Sequence, residues 1–204
     1  MTTRLVVTGT DTDIGKTVLA AAIAAATDAA YWKPIQSGTL DDSDADNVTR
    51  LGVRAIHREA YRLTQPLSPH RAAEIDGVTI DPDRLAPPDG PLVIEGAGGV
   101  LVPVRRDLLF ADIFARWGLP VVLAARTTLG TINHSLLSIE ALRARRVPIR
   151  GIAFIGEANP DNEATIVALG GVRSLGRLPW LDPLDADTLA RAFAAHFRTE
   201  DFLE

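Results

Sequence analysis

Residues 5–17 read Leu5-Val6-Val7-Thr8-Gly9-Thr10-Asp11-Thr12-Asp13-Ile14-Gly15-Lys16-Thr17. An apolar run gives way to a polar loop with two glycines, and then to a helix-favouring stretch that opens on Lys-Thr. Strand, glycine-bearing loop and helix in that order are the context a phosphate-binding loop requires. Backbone N–H groups of the loop and of the first helical turn converge on one point, where the helix dipole adds positive potential, so a triphosphate can be cradled there. Gly15 lets the backbone approach the phosphates. Lys16 is placed to meet β and γ oxygens as a point charge. The Thr17 hydroxyl suits Mg2+, a hard cation that takes oxygen ligands. The general pattern has its first glycine at the position of Thr10, whereas this chain has it one residue earlier, at Gly9.

Outward from this loop, short apolar runs alternate with helical patterns along the whole chain, the mark of βα units around a parallel sheet. Strands are expected at 5–7, 30–32, 92–94, 121–124, 151–155 and 174–178. Helices are expected at 17–28, 109–117, 132–145 and 186–197. The alanine run at 20–30 offers the small side chains that a helix lying close on a sheet needs. Segments 36–46, 61–77 and 82–91, rich in Pro, Asp and Ser, read as loops over one sheet. The expectation is an α/β fold: one P-loop domain over residues 1–204, with a mostly parallel sheet flanked by helices.

Composition narrows the function. The chain has 204 residues, 47% of them hydrophobic and 23% charged, which excludes a disordered or collagen-like protein. A net charge of −5 without a Lys/Arg run argues against nucleic-acid and membrane partners, because both need clustered cations. The absence of cysteine removes disulfides, thiolate metal sites and Cys nucleophiles. The apolar run at the N-terminus is too short for a signal sequence and no stretch nears the ~20 residues that span a bilayer, so the expected compartment is the cytoplasm.

A P-loop enzyme that uses ATP needs a further carboxylate for its metal, normally at the end of another strand. Glu95 closes Leu92-Val93-Ile94 and precedes Gly96-Ala97-Gly98-Gly99, so it stands where ligands bind in open α/β sheets, with four small residues that allow a sharp turn beside a ligand. Lys33, after Tyr31-Trp32, ends the second strand on the same edge, where a second lysine can stabilise charge on a transferring phosphoryl group. Asp41-Asp42-Ser43-Asp44-Ala45-Asp46 reads either as a solvated acidic loop or as the source of a metal ligand, and composition does not say which Asp.

Taken together, Gly-Thr-Asp-Thr-Asp-Ile-Gly-Lys-Thr (9–17), Lys-Pro-Ile-Gln-Ser-Gly (33–38), Ser-Pro-His-Arg-Ala-Ala (68–73), Glu-Gly-Ala-Gly-Gly (95–99), Leu-Gly-Thr-Ile-Asn-His (129–134) and Gly-Arg-Leu-Pro-Trp-Leu (176–181) resemble the dethiobiotin synthase family over nearly the whole chain. The shifted glycine is part of that likeness. The resemblance implies a homodimer that converts 7,8-diaminononanoate, CO2 and ATP, with Mg2+, to dethiobiotin, ADP and phosphate in biotin biosynthesis. It implies metal ligands at Thr17, Asp44 and Glu95, with Asp46 the second choice for the acidic run. Lys16 and Lys33 are the implied catalytic cations around carbamate and γ-phosphate. ATP contacts are implied at Asp13, Ile14, Gly15, Lys16, Thr17, Val18, Asp44, Glu95, Gly96, Ala97 and Gly98, and substrate contacts at Thr10 and Ser37. The substrate's distal carboxylate needs an anion site, and the helix start at Gly130, Thr131 and Asn133 suits it, in the family reaching across the dimer to the partner's substrate. His70 is expected to stiffen a loop and not to act as acid or base.

One departure stands out. Where some relatives carry an Asn that reads adenine, this chain has Ile155, which cannot hydrogen-bond a base edge. Base recognition then falls on backbone groups around Arg177, Leu178 and Pro179. Two other readings compete. A related P-loop amidoligase would need a glutaminase Cys that this chain lacks. A nucleotide-switched dimer of the ParA/MinD kind would carry an extra lysine early in its loop, where this chain has Thr10 and Asp11.

Overall fold

Valine, isoleucine and leucine in short runs, separated by capped helices, fold here as repeated strand–helix units. The computed structural model describes residues 2–38 and 44–204. In chain order the elements are β1 (Arg4–Gly9), α1 (Lys16–Thr27), β2 (Ala30–Trp32), β3 (Ile35–Ser37), α2 (Asp44–Arg50), β4 (Ile56–His57), β5 (Tyr61–Leu63), α3 (Pro69–Ile75), β6 (Leu92–Gly99), β7 (Pro103–Arg105), β8 (Leu108–Leu109), α4 (Phe110–Trp117), β9 (Val121–Arg126), α5 (Thr131–Ala144), β10 (Ile149–Ile155), α6 (Pro160–Gly170), β11 (Ser174–Leu178) and α7 (Ala186–His196).

Seven strands form one sheet in the order β11-β10-β9-β1-β6-β2-β4, every neighbouring pair parallel. Side chains alternate across it, as the period of two demands. On β1, Leu5 and Val7 face a core built with α1, α2 and α7, while Val6 faces the core under α3, α4, α5 and α6. The α1 side is thin because its helix buries Ala20, Ala21, Ala22 and Ala24, which lets the backbone lie close to the sheet. The two faces are thus covered, as an all-parallel sheet needs.

All six expected strands and all four expected helices are present, within a few residues at their ends. Two expectations are corrected and one helix goes beyond them. The segments read as loops over one sheet contain β3 and β5, which pair in parallel as a separate two-stranded sheet, and the helices α2 and α3. These elements are short, so Pro and Asp hid their periodicity. Helix α6 was not anticipated; Asn159 caps it and Pro160 opens it, but it buries only Ile166 and Gly170, too narrow a stripe to read from spacing. The small residues after Glu95 make no sharp turn: β6 runs on to Gly99, which pairs with Gly9 of β1. Small side chains there allow close approach, since a Cβ on Gly98 would sit 2.7 Å from Val102 and one on Gly99 3.4 Å from the Thr10 carbonyl.

Register sets the site. Val7 pairs with Glu95, and Trp32 with Ile94, so the residues that follow β1 and β2 meet Glu95 at the C-terminal edge of the sheet.

Candidate active site

The loop between β1 and α1 closes on Gly15, whose φ of +93° lies in the left-handed region that only glycine adopts without strain. A Cβ there would also sit 3.1 Å from the Ile155 side chain. Lys16 follows as the first residue of α1, is 6% exposed, and donates to the Asp11 carbonyl at 2.7 Å, folding its ammonium back over the loop. Burial lowers its pKa to about 8, with the Glu95 carboxylate opposing that shift. The group keeps its charge at neutral pH and has little margin above it.

Glu95 is 1% exposed, and a buried carboxylate must be compensated. The Thr17 hydroxyl donates to its Oε1 at 2.9 Å and the Tyr31 hydroxyl to its Oε2 at 2.6 Å, while Lys33 Nζ lies 3.4 Å from Oε1. Asp44, at the start of α2, bonds Lys33 and accepts from Thr17 at 3.4 Å. Tyr31 has its pKa raised well above the ordinary phenol value, first by burial and then by the Glu95 charge, so it stays a donor. Thr17 Oγ1, Asp44 and Glu95 thus form an oxygen-only cluster at the mouth of the phosphate loop. That donor set fits Mg2+, with remaining positions left to phosphate oxygens and water. Among the described residues no group of three or more His, Cys, Asp or Glu converges as a metal cage.

These residues line one cavity of about 1190 Å³, which also takes in Asp13, Ile14, Gly15, Lys16, Val18, Ala97 and Gly98. Its β3 wall carries Gln36 and Ser37. Gln36 Oε1 and Ser37 Oγ are both buried and, among the described residues, without a hydrogen-bond partner. Ser68 and Pro69 add a rim, and the Ser68 hydroxyl lies 3.0 Å from His70 Nδ1, which ties His70 to its own turn.

The remaining expected positions fall elsewhere. Arg177, Leu178 and Pro179, expected to offer backbone groups to the base, stand next to the lining and are not part of it. β11 pairs with β10, so the Leu178 carbonyl accepts from Gly156 N at 2.9 Å, and the Arg177 guanidinium donates to the Gly156 carbonyl at 2.8 Å. The chain reaches the cavity just beyond, at Trp180, Leu184 and Asp185, with Trp180 61% exposed. The sequence does not single out these three, although Trp180 follows directly on Leu178-Pro179. Gly96 is absent from the lining too; a Cβ there would meet Phe114 at 3.0 Å. Thr10 lines a second cavity of about 360 Å³ with Leu101, His134 and Leu137. Gly130 and Asn133 are exposed beside α5's start, while Thr131 is buried and spends its hydroxyl on the Arg126 carbonyl at 2.5 Å. Of the acidic run, Asp41, Asp42 and Ser43 lie outside the described residues, and Asp44 is bonded to Thr17 and Lys33.

A family model described as an AAA domain matches residues 3–188. The protein called ATP-dependent dethiobiotin synthetase BioD from Novosphingobium aromaticivorans is 62% identical over 98% of this chain and 99% of its own length. Its namesake from Rhizorhabdus wittichii is 62% identical over 99% of each, and that from Rhodopseudomonas palustris 61% over 100% of this chain and 98% of its own. The chain belongs to the ATP-dependent dethiobiotin synthetase family. Solved structures add the fold alone: the Pyrococcus furiosus cell-division ATPase MinD superposes with a TM-score of 0.57 at 10% identity, covering 97% of each chain. MinD in the Aquifex aeolicus MinC:MinD complex gives 0.54 at 12% identity, over 92% of this chain and 85% of that one. The dethiobiotin synthetase family and MinD therefore share a scaffold, and the switch-ATPase alternative keeps only that likeness. No helix among the described residues is long and apolar enough to cross a membrane.

Proposed function

We propose that this chain, working as one domain, carries out the dethiobiotin synthetase reaction at the cavity under its phosphate loop. One amine of 7,8-diaminononanoate adds to CO2 and loses a proton, giving a carbamate. A carbamate oxygen attacks the γ-phosphorus of ATP, ADP leaves, and a carbamic-phosphoric anhydride forms. The second amine attacks the carbonyl carbon, phosphate leaves, and the cyclic urea closes.

The residues take the following parts. The loop amides and Lys16 hold the β and γ phosphates. Thr17, Asp44 and Glu95 would hold Mg2+, which supplies charge neutralisation at the phosphoryl oxygens. Lys33, poised between Asp44 and Glu95, faces the transferring group and offsets its developing charge. Ser37 and the neighbouring Gln36, buried acceptors short of a donor, suit the substrate's amine N–H groups. Trp180, Leu184 and Asp185 form the nucleoside end of the cavity. The observation that carries this reading is the meeting of Lys16, Thr17, Lys33, Asp44 and Glu95 at one cavity, in a chain of this family.

A homodimer completes the proposal. Leu101 is 49%, Leu129 102% and Leu137 56% exposed, in or near the second cavity, where a second copy would bring its 130–133 turn toward the substrate carboxylate. Leu137→Glu is expected to give a monomer by light scattering, with a raised KM for the diamine. The compartment proposed is the cytoplasm.

The deciding experiment measures phosphate release from MgATP with and without 7,8-diaminononanoate and bicarbonate, with a mass check on the product. Diamine-dependent release with the mass of the cyclic urea supports the reading. Hydrolysis indifferent to the diamine overturns it.

A further inference from the structure

Strand alternation places Tyr31 and Lys33 on the same face of the chain as it leaves β2, so both approach Glu95. They take different oxygens. Lys33 lies on Oε1, together with the Thr17 hydroxyl, and this oxygen faces the cavity. Tyr31 donates to Oε2 from the core side, at 2.6 Å, the length of a charge-assisted bond. The phenol is 1% exposed and is packed on the α1 side of the sheet among Val93, Val48 and Leu51 in the same core cluster. Tyr31 touches neither cavity nor ligand space, so any effect it has on the reaction passes through Glu95.

We propose that Tyr31 is the positioning residue of the metal site: its hydroxyl holds Oε2 so that Glu95 presents Oε1, and not a rotated carboxylate, to the cation shared with Thr17 and Asp44. Partners of this kind orient metal-bound carboxylates, and their loss weakens metal affinity about 10- to 100-fold. With the phenol replaced by a ring lacking the hydroxyl, Oε2 is buried without a donor and the carboxylate turns toward Lys33 or Thr17 to satisfy it.

The inference rests on the assignment of Glu95 as a metal ligand, and the experiment separates the two. Mn2+ is titrated into the ADP complex and followed by electron paramagnetic resonance, in the wild type, in Tyr31→Phe and in Glu95→Gln. Tyr31→Phe is expected to raise the Mn2+ dissociation constant about tenfold while the affinity for ADP without metal stays within about twofold. Unchanged Mn2+ binding in Tyr31→Phe, alongside a loss in Glu95→Gln, overturns the role of Tyr31 and leaves the metal site standing. Unchanged binding in Glu95→Gln overturns the metal assignment itself. A second measurement needs no variant at position 31. The chain has two tyrosines, so fluorotyrosine labelling gives two 19F resonances, separated by Tyr61→Phe. Tyr61 sits away from the site, accepting from Asp81 N at 2.8 Å. Adding Mg2+ to the ADP complex is expected to move the Tyr31 resonance and leave that of Tyr61 in place; a Tyr31 resonance that stays still overturns the proposal.

Discussion

At the phosphate-loop end of the main cavity Lys33 pairs with both Asp44 and Glu95, and Lys16, tied to the Asp11 carbonyl, supplies the second positive charge that balances the two carboxylates, whereas along β3 the Gln36 and Ser37 acceptors are buried with no partner among the described residues. The contrast follows from cost. An unpaired charge in so buried a place would cost several kcal/mol, so the ionic half has to balance within the protein. A neutral acceptor left open costs about 1–3 kcal/mol, which a fold can carry until a ligand supplies the donor. One half of the site is therefore preorganised for charge, and the other is held short of partners for the substrate.

The hardest blow to the ionic half is Glu95→Gln. The variant is expected to fold, since an amide keeps the shape and Tyr31 can still donate to its oxygen, yet Mg2+-dependent turnover should fall about 10³-fold. A circular dichroism melt beside the assay checks both parts. Lys33→Ala should lower kcat about 10²-fold with the ADP dissociation constant within about threefold, because its charge serves the transferring group. Equal loss of nucleotide affinity in a calorimetric titration would make Lys33 a binding lysine.

On the β3 side, Ser37→Ala is expected to raise the KM for the diamine about tenfold, one lost hydrogen bond of about 1.4 kcal/mol, with the KM for ATP unchanged. The same change removes a buried orphan hydroxyl, so the Tm of the free protein should hold or rise. A fall in Tm with an unchanged KM would place Ser37 in the structural frame instead. Lys16 sharpens the comparison by pH. Its pKa of about 8 in the free protein rises when phosphates bind, so metal-free ADP affinity is full well below pH 8 and falls as the pH rises through it. The expected loss is about fourfold between pH 7 and 8.5, and Lys16→Met should flatten that profile. The smallest effect belongs to Trp180→Ala, about threefold in the KM for ATP, since a half-exposed ring at the nucleoside end contributes about 0.5–1 kcal/mol of stacking.

How far the sequence discloses this arrangement follows the same division. Lys16, Thr17, Lys33 and Glu95 are legible because each closes a strand or opens a helix, and parallel strands bring such ends to one edge. Asp44 is not legible from composition alone, since three other aspartates stand within three residues of it and only the geometry of α2 singles it out. Tyr31 is invisible because an aromatic in a strand reads as core, and its hydroxyl matters only once β6 lies beside β2. Arg177 and Leu178 read as a free strand end in the sequence, whereas in the fold their backbone belongs to the β10 ladder. The short elements α2, α3, β3 and β5 escape notice because two to seven residues cannot display a period.

Ile155 illustrates a wider consequence. Its side chain is 3% exposed and packs against Gly15. A swap to a polar residue at this position would disturb the turn that shapes the anion cradle. The identity of residue 155 is therefore bound to the shape of the phosphate loop. An engineer reshaping the far wall of the cavity has a freer route at the solvent-facing Trp180 and Leu184, because Ile155 is locked against the loop and Asp185 caps α7.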